Sequence, residues 1–501
     1  MRLYDIQEPG ESNKTEGIGS VSSDIVVGID LGTTNSLIGY AKNGQVTIIP
    51  DQFSGKPYTP SVVAYERNKV LVGEQALASG FDPINSIKRL MGKVSDDVLA
   101  SLTYKVDAVV AGMPRVITEG KKVTPIEVSA EILKYLKQRA ESHLKQAVTK
   151  AVITVPAYFD ESARHATRDA ARLAGIEVLR LISEPTAAAI AYGFDKQPEG
   201  VYAVYDLGGG TFDISILSMQ KGVFQVLATG GNALLGGDDI DRLLCQSLFS
   251  GQAIELKKLL QLRSLKERLS KEDSVVSNGL TVTRQDLDKL AQPLINETLK
   301  SFKRAVKDAD IDIASIREVI LVGGATRMPL IHKEVTALTG KPPLADINPE
   351  EIVAVGAALQ AEALVSGSHN LLIDVIPLSL GIEVGDGLVE CIIPRNSSIP
   401  TARAQKFATQ KPNQTGIVIH VVQGEGAKVR DCRSLARFEL RGIPPLPAGQ
   451  AKVEVKFQID ADGLLLVSAQ ELTTGITQDI MVKPSYGLTE SEILLLLRKS
   501  I

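Results

Sequence analysis

The sequence predicts an α/β body built from two related halves, followed by an all-β sandwich and a short terminal helix. Three observations carry that expectation. The stretch Asp206-Leu207-Gly208-Gly209-Gly210-Thr211-Phe212-Asp213 sits between strand-like runs at 201–205 and 214–217, and Val26-Val27-Gly28-Ile29-Asp30-Leu31-Gly32-Thr33-Thr34-Asn35 repeats it in register. Strand-spaced and helix-spaced apolar runs alternate as far as position 364, as in a mostly parallel sheet flanked by helices. From position 377 the pattern becomes short strands at regular spacing, with turn signals such as Gly385-Asp386-Gly387 and Asp460-Ala461-Asp462-Gly463, which reads as a sandwich to about position 482.

The repeated stretch carries chemistry. A run of glycines turns tightly and lets backbone N–H groups approach an anion with no Cβ in the way. Carboxylates beside such a turn repel phosphate, so a cation must lie between them, and strand, carboxylate, glycine turn, hydroxyl, strand reads as a cradle for phosphate and Mg²⁺. Taken alone, the stretch also fits a glycine-rich hairpin. The register of the repeat argues against the hairpin, because Asp30 falls on Asp206, Leu31 on Leu207 and Gly32 on Gly208. A third glycine turn follows an apolar strand at 319–324 and continues Ala325-Thr326-Arg327. Two halves offering Asp-Leu-Gly hairpins to one nucleotide is the actin-like ATPase arrangement.

Composition bounds the rest. A chain of 501 residues implies two or more domains, and 44% hydrophobic and 23% charged residues are those of an ordinary globular protein. The net charge of −4 leaves no electrostatic footprint for nucleic acid. Cys245, Cys391 and Cys432 lie far apart, which argues for a reducing compartment and against a zinc or iron–sulfur site in this chain. No apolar run is long enough to span a bilayer, so no membrane is expected. Residues 1–23 are polar, carry Asp5, Glu8, Glu11 and Glu16, and fit neither a secretory signal nor a transit peptide; they read as a loose tail on a cytoplasmic protein.

In chain order, strands and turns run from 24 to 72, and Ser86-Ile87-Lys88-Arg89-Leu90-Met91-Gly92 is a short basic segment. Helical spacing covers 126–147, a strand 151–155 ends at Pro156, and Asp160 caps a helix to 174. A strand at 177–182 runs into Glu184-Pro185-Thr186 and an Ala-rich helix. Helices are expected over 238–270, a strand pair near 275–282, more helix to 307, and a last body helix at 350–364. The predicted divisions are an ATPase body at 24–367, a linker at 368–376, the sandwich at 377–487 and a terminal helix at 488–501.

Gly28 to Ser36, Val155-Pro156-Ala157-Tyr158-Phe159, Glu184 to Ala189, the Asp206 stretch and Val322 to Pro329 together resemble the seventy-kilodalton heat-shock chaperone family, over 24–497. Asp431 to Phe438, Arg441 to Pro444 and Lys483 to Thr489 resemble its HscA branch, which serves iron–sulfur cluster assembly in the bacterial cytoplasm. The resemblance implies an ATPase that drives binding and release of client polypeptide, using ATP and Mg²⁺, with K⁺ a further candidate ion. It implies the iron–sulfur scaffold protein as client and a J-domain co-chaperone of the HscB type as partner. It places Asp30 and Asp206 on hydrated Mg²⁺, and Gly32, Thr33, Thr34, Asn35, Gly208, Gly209, Gly210 and Thr211 around the phosphates. Lys88 would face the γ-phosphate, while Glu184 and Asp213 would orient the attacking water. Gly236, Gly237, Lys266, Ser270, Gly323, Gly324, Arg327 and Glu350 would hold ribose and adenine. Pro156 and Arg164 match a relay between nucleotide and client, and the apolar linker residues Leu371 and Leu372 are its expected switch. Ile382, Gly385, Phe407, Gln410, Ile417 and Ile419 match the client cleft.

Plainer readings stand beside these. Lys88 alone is a surface lysine, Glu184 a helix-opening carboxylate, Pro156 a strand terminator, and any one cleft residue ordinary sandwich core. Arg263, Glu267 and Glu350 depart from the family's usual residues, and the region 247–279 is shorter, which bears on nucleotide affinity and exchange. After position 488 the sequence offers about three helical turns, so most of the family's helical lid is expected to be missing. Two other functions remain open: a peptide binder whose ATPase is uncoupled, and a small-molecule kinase on the same actin-like fold.

Overall fold

The computed structural model describes residues 25–67, 69–92, 96–110, 113–118, 120–193, 199–220, 223–250, 254–277, 279–367, 371–481 and 488–499. The tail expected at 1–23 lies outside them.

Two six-stranded sheets run through the body, the second completed from beyond it, and their first strands repeat one another. In the first lobe, Val26–Leu31 pairs antiparallel with Asn35–Lys42 and parallel with Lys150–Val155. In the second, Gly200–Leu207 pairs antiparallel with Phe212–Gln220 and parallel with Ile316–Val322. The sequence repeat is therefore a repeat of strand topology, and each half turns its first hairpin at an Asp-Leu-Gly. Val27, Ile29, Ala203 and Val204 are fully buried, as expected for parallel sheets covered on both faces.

The helices follow their caps. Thr124 and Glu127 form a capping box that opens Pro125–Leu144, and Asp160 caps Glu161–Leu173 by accepting the Ala163 N–H at 2.9 Å. Ile352–Ser366 is apolar around most of its circumference and lies largely buried between the lobes, packed on Val26–Leu31 and on the helix Glu184–Ala191, with its last turn exposed. A Cβ at Gly356 would sit 1.7 Å from the carbonyl oxygen of Ala187, so the two helix backbones touch there. Between 74 and 123 the structure adds two short helices, Glu74–Ala78 and Asp96–Ala100, and a three-stranded sheet that the sequence pattern did not announce.

The linker is a strand. Leu371–Val375 pairs parallel with Val223–Asn232 of the second lobe, Leu371 opposite Val223 and Leu372 opposite Phe224. Its far end pairs antiparallel with Ser398–Ile399, so one sheet runs from the body into the sandwich. The sandwich stacks two four-stranded sheets around Ile382, Ile419, Val421, Phe457 and Val467.

Charged groups hold the sandwich against the first lobe. The Asp462 carboxylate meets Arg168, lies 3.4 Å from Arg180 Nε and accepts the Leu181 N–H at 3.1 Å. Arg164 donates to the Asp462 carbonyl at 3.3 Å, Glu161 accepts the Leu465 N–H at 2.7 Å, and Arg433 pairs with Asp160. A second contact joins Arg395 to Asp308 at 2.6 Å on the other lobe. The helix Glu490–Lys499, whose sequence suggested the start of a cover over the sandwich, lies instead on the first lobe. Glu490 pairs with Arg172 at 2.6 Å, and Ile493 is buried in that lobe's core against the helix Glu161–Leu173.

Candidate functional site

The two Asp-Leu-Gly turns face each other across a cleft of about 970 Å³. It is lined by Asp30, Gly32, Thr33, Thr34, Asn35, Lys88, Glu184, Asp206, Gly208, Gly209, Thr211, Gly237, Lys266, Ser270, Gly323, Gly324, Arg327 and Glu350. Of the nucleotide residues expected from sequence, Gly210, Gly236 and Asp213 are not on that wall. Gly236 caps the helix Gly237–Leu248, whose first N–H bonds to the Gly208 carbonyl at 2.9 Å and ties it to the second glycine turn. A Cβ at Gly209 would lie 1.9 Å from Thr34 Oγ1, so the loops of the two lobes touch and a side chain there would have to displace the Thr34 hydroxyl.

Lys88 rises into the cleft from the 3₁₀ turn Ile87–Leu90 and is nearly buried. Its Nζ donates to Glu184 Oε1 at 2.5 Å, from the first residue of the helix Glu184–Ala191. Asp30 accepts the Thr154 hydroxyl at 3.1 Å. Asp213 accepts the Tyr158 N–H at 3.0 Å through Oδ1, while its buried Oδ2 has no hydrogen-bond partner. Four carboxylates thus share one ammonium. Burial, then Glu184, pushes both Asp30 and Asp213 up to about 7. Asp206 is driven well above the usual carboxylate range by burial and then by Glu184, Asp213 and Asp30. A site that holds its acids half-neutral is short of positive charge. Among the described residues no three His, Cys, Asp or Glu side chains converge as direct metal ligands. The donor set and the orphaned Asp213 oxygen therefore fit a cation carried with its own water rather than a bare one.

The end of the cleft expected to take ribose and adenine is more self-contained. Arg327 donates to Asn348 at 2.7 Å and pairs with Glu350 at 3.3 Å, and the Ser270 hydroxyl donates to the Lys266 carbonyl at 3.3 Å. Lys266 Nζ pairs with Asp241 at 2.6 Å and donates to the Gly237 carbonyl at 2.7 Å. Arg263, which lines the cleft, reaches Asp238 at 2.9 Å and Asp241 at 3.3 Å.

The sequence did not single out the acids that hold the lobes together. Asp238 Oδ2 accepts the Ser86 hydroxyl at 2.8 Å, and its Oδ1 accepts that of Thr34 at 3.3 Å, both from the first lobe. Asp239 takes the Arg89 guanidinium with both oxygens. The signal was present in the acidic pair directly after Gly236-Gly237 at a helix N-terminus. Tyr58 and His332 also line the cleft, without any sequence cue.

The remaining expected residues lie elsewhere. Pro156 and Arg164 bracket the segment between Asp213 and the sandwich: the Pro156 carbonyl accepts the Phe159 N–H at 3.1 Å, and Arg164 reaches Asp462. Ile382 and Ile419 are buried in the sandwich core, Phe407 and Ile417 pack on its margin, and Gly385 and Gln410 stand at open loop positions. For Leu371 and Leu372 only the backbone pairing is described.

Known proteins resemble this chain throughout. The family model described as Hsp70 protein matches residues 26–500. The chaperone protein HscA homolog of Pseudomonas aeruginosa (strain UCBPP-PA14) is 50% identical over 522 residues, covering 100% of this chain and 83% of its own. That of Vibrio parahaemolyticus is 49% identical over 523 residues, and that of Bordetella pertussis 49% over 528, each covering 100% of this chain and 84% of the relative. No helix among the described residues is long and apolar enough to cross a membrane.

Proposed function

The chain belongs to the Hsp70 family, and from that premise we propose an ATPase that drives binding and release of client polypeptide, with the iron–sulfur scaffold protein as its client. The observation that supports the coupling is the linker strand, hydrogen-bonded at once to the second lobe and to the sandwich.

Lys88 presents its ammonium where negative charge grows on the transferred phosphoryl group, and Glu184 fixes its direction. Asp213, with one oxygen tied to Tyr158 and the other unpaired, accepts from and aligns the attacking water. Mg²⁺, held through water by Asp30 and Asp206, would neutralise phosphate charge. The segment that Asp213 grips leads through Phe159 into the helix Glu161–Leu173, whose Glu161, Arg164 and Arg168 hold the sandwich. A change at the phosphate is thereby passed to the loop at Asp462. Ile382, Phe407, Ile417 and Ile419 would form the apolar client cleft. A J-domain co-chaperone of the HscB type, K⁺ as a second ion, and the bacterial cytoplasm complete the reading.

A peptide from the scaffold protein should stimulate ATP turnover, with no hydroxyl acceptor present. Leu371→Asp together with Leu372→Asp should abolish the stimulation and spare basal turnover, because two adjacent carboxylates repel one another and replace apolar, strand-favouring residues in the seam. Stimulation that survives the double change would sink the coupling. Turnover that requires an acceptor would make the protein a kinase.

A further inference from the structure

Ser86 is one of few non-glycine residues here with positive φ, and it stands where such strain has a use. Its φ of 51° and ψ of 30° are left-handed, and it caps the 3₁₀ turn Ile87–Leu90 that carries Lys88. An L-residue adopts this conformation only when its surroundings over-determine it. The Ser86 hydroxyl donates to Asp238 at 2.8 Å and receives the Asn85 amide at 3.2 Å, and its carbonyl accepts the Arg89 N–H at 3.1 Å. Asn85 is held in turn by Thr103 at 2.9 Å and by Tyr104 at 3.0 Å. Asp238 is gripped from its far side by Arg263. Burial alone would raise the Asp238 carboxyl, but Arg263, Arg89, the Ser86 hydroxyl and Lys266 outweigh it and hold it below the usual range, so it remains an acceptor at neutral pH.

We propose that Ser86 is a positioning residue for ATP hydrolysis: Asp238 of the second lobe holds it left-handed, and that kink aims Lys88 at the phosphate. Closing the cleft and aiming the ammonium are then one event, since Asp238 and Lys88 stand on opposite lobes. The inference rests on the reading of Lys88 as the group that meets the transferred phosphoryl.

Single-turnover hydrolysis and ATP affinity test it, in the full chain, for Ser86→Ala, Ser86→Gly, Lys88→Ala and the double variant Ser86→Ala/Lys88→Ala. Ser86→Ala loses the tether and resists positive φ, so its rate should fall about tenfold with ATP affinity unchanged. Ser86→Gly loses the same tether but reaches positive φ without strain, so it should lose less than Ser86→Ala; a loss as large as that of Ser86→Ala would show that the kink itself contributes nothing. The double variant should be no slower than Lys88→Ala alone, because a misaimed lysine matters only where there is a lysine. A wild-type rate in Ser86→Ala overturns the proposal, and so does a loss in ATP affinity in place of rate. A multiplicative loss in the double variant overturns it as well. Lys88→Ala at the wild-type rate would instead remove the underlying reading of Lys88, and that variant reports it separately.

Discussion

At the scale of single residues the cleft is a problem in charge. Asp30, Asp206, Asp213 and Glu184 surround one ammonium, and Lys88→Ala removes it. Single-turnover hydrolysis should drop by roughly 10²–10³, the usual cost of one transition-state donor, with ATP still bound. A rate within a few-fold of wild type would show that Lys88 only balances Glu184. The raised carboxyls give a second expectation. With Asp30 and Asp213 near 7, both are largely protonated below that pH in the cation-free protein. Mg²⁺–nucleotide needs Asp30 and Asp206 ionised, so its binding should expel more protons at about pH 6 than at about pH 8.5, with affinity rising between the two. Calorimetry in two buffers of different ionisation enthalpy would read the proton count, and an unchanged count across that range would mean the acids are ionised beforehand. Most residues that line the cleft were legible because they sit in short contiguous motifs. Ser86 and Asp238 were not, since their bond joins positions 152 apart and neither belongs to a motif with a partner written beside it.

At the scale of elements, local signals served well. The helical spacing over 126–147 and Asp160 before its helix announced two long helices, and the apolar stretch at 350–364 announced a third within two residues of its observed bounds, Ile352–Ser366. The small sheet of Val106–Val110, Met113–Thr118 and Lys121–Val123 escaped because strands so short carry little periodicity and owe their place to tertiary contacts. The linker's conformation escaped too: its apolar character suggested docking, but not which strand it would join. Gly356 separates local from tertiary control. By propensity alone Gly356→Ala should stabilise the helix by about 1 kcal/mol. The 1.7 Å approach of that Cβ to the Ala187 carbonyl says the opposite, and overpacking against backbone costs about 1–3 kcal/mol. Thermal unfolding of the body should therefore shift to lower temperature; a rise would mean the two helices part easily.

At the scale of the whole molecule, the sandwich is held on the first lobe by ions and seamed to the second by a strand. Asp462 gathers Arg168, Arg180 and the Leu181 N–H, with the Arg168 pair partly open to water. Asp462→Ala should weaken docking by about 1–2 kcal/mol, the modest worth of screened pairs. A distance probe between body and sandwich should show the docked population falling in that variant. Raising salt should do the same to the wild type, as the Debye length shrinks from about 10 Å at 0.1 M to about 3 Å at 1 M. A docked fraction indifferent to both would place the holding force in the strand seam. None of this orientation could be read from sequence, because the Arg168–Asp462 bond joins positions 294 apart in different domains.

The seam has a consequence for solubility. Leu371–Val375 covers the outer edge of Val223–Asn232, pairing with it from Val223 to Gln225. Whenever the linker lets go, those residues present unpaired N–H and C=O groups, the template on which sheets of different molecules join. Three residues make a poor template, too brief to hold a foreign strand against the entropy of aligning it. If the linker is released in each turn of the proposed cycle, a seam this short keeps the opened edge from sticking to neighbouring molecules.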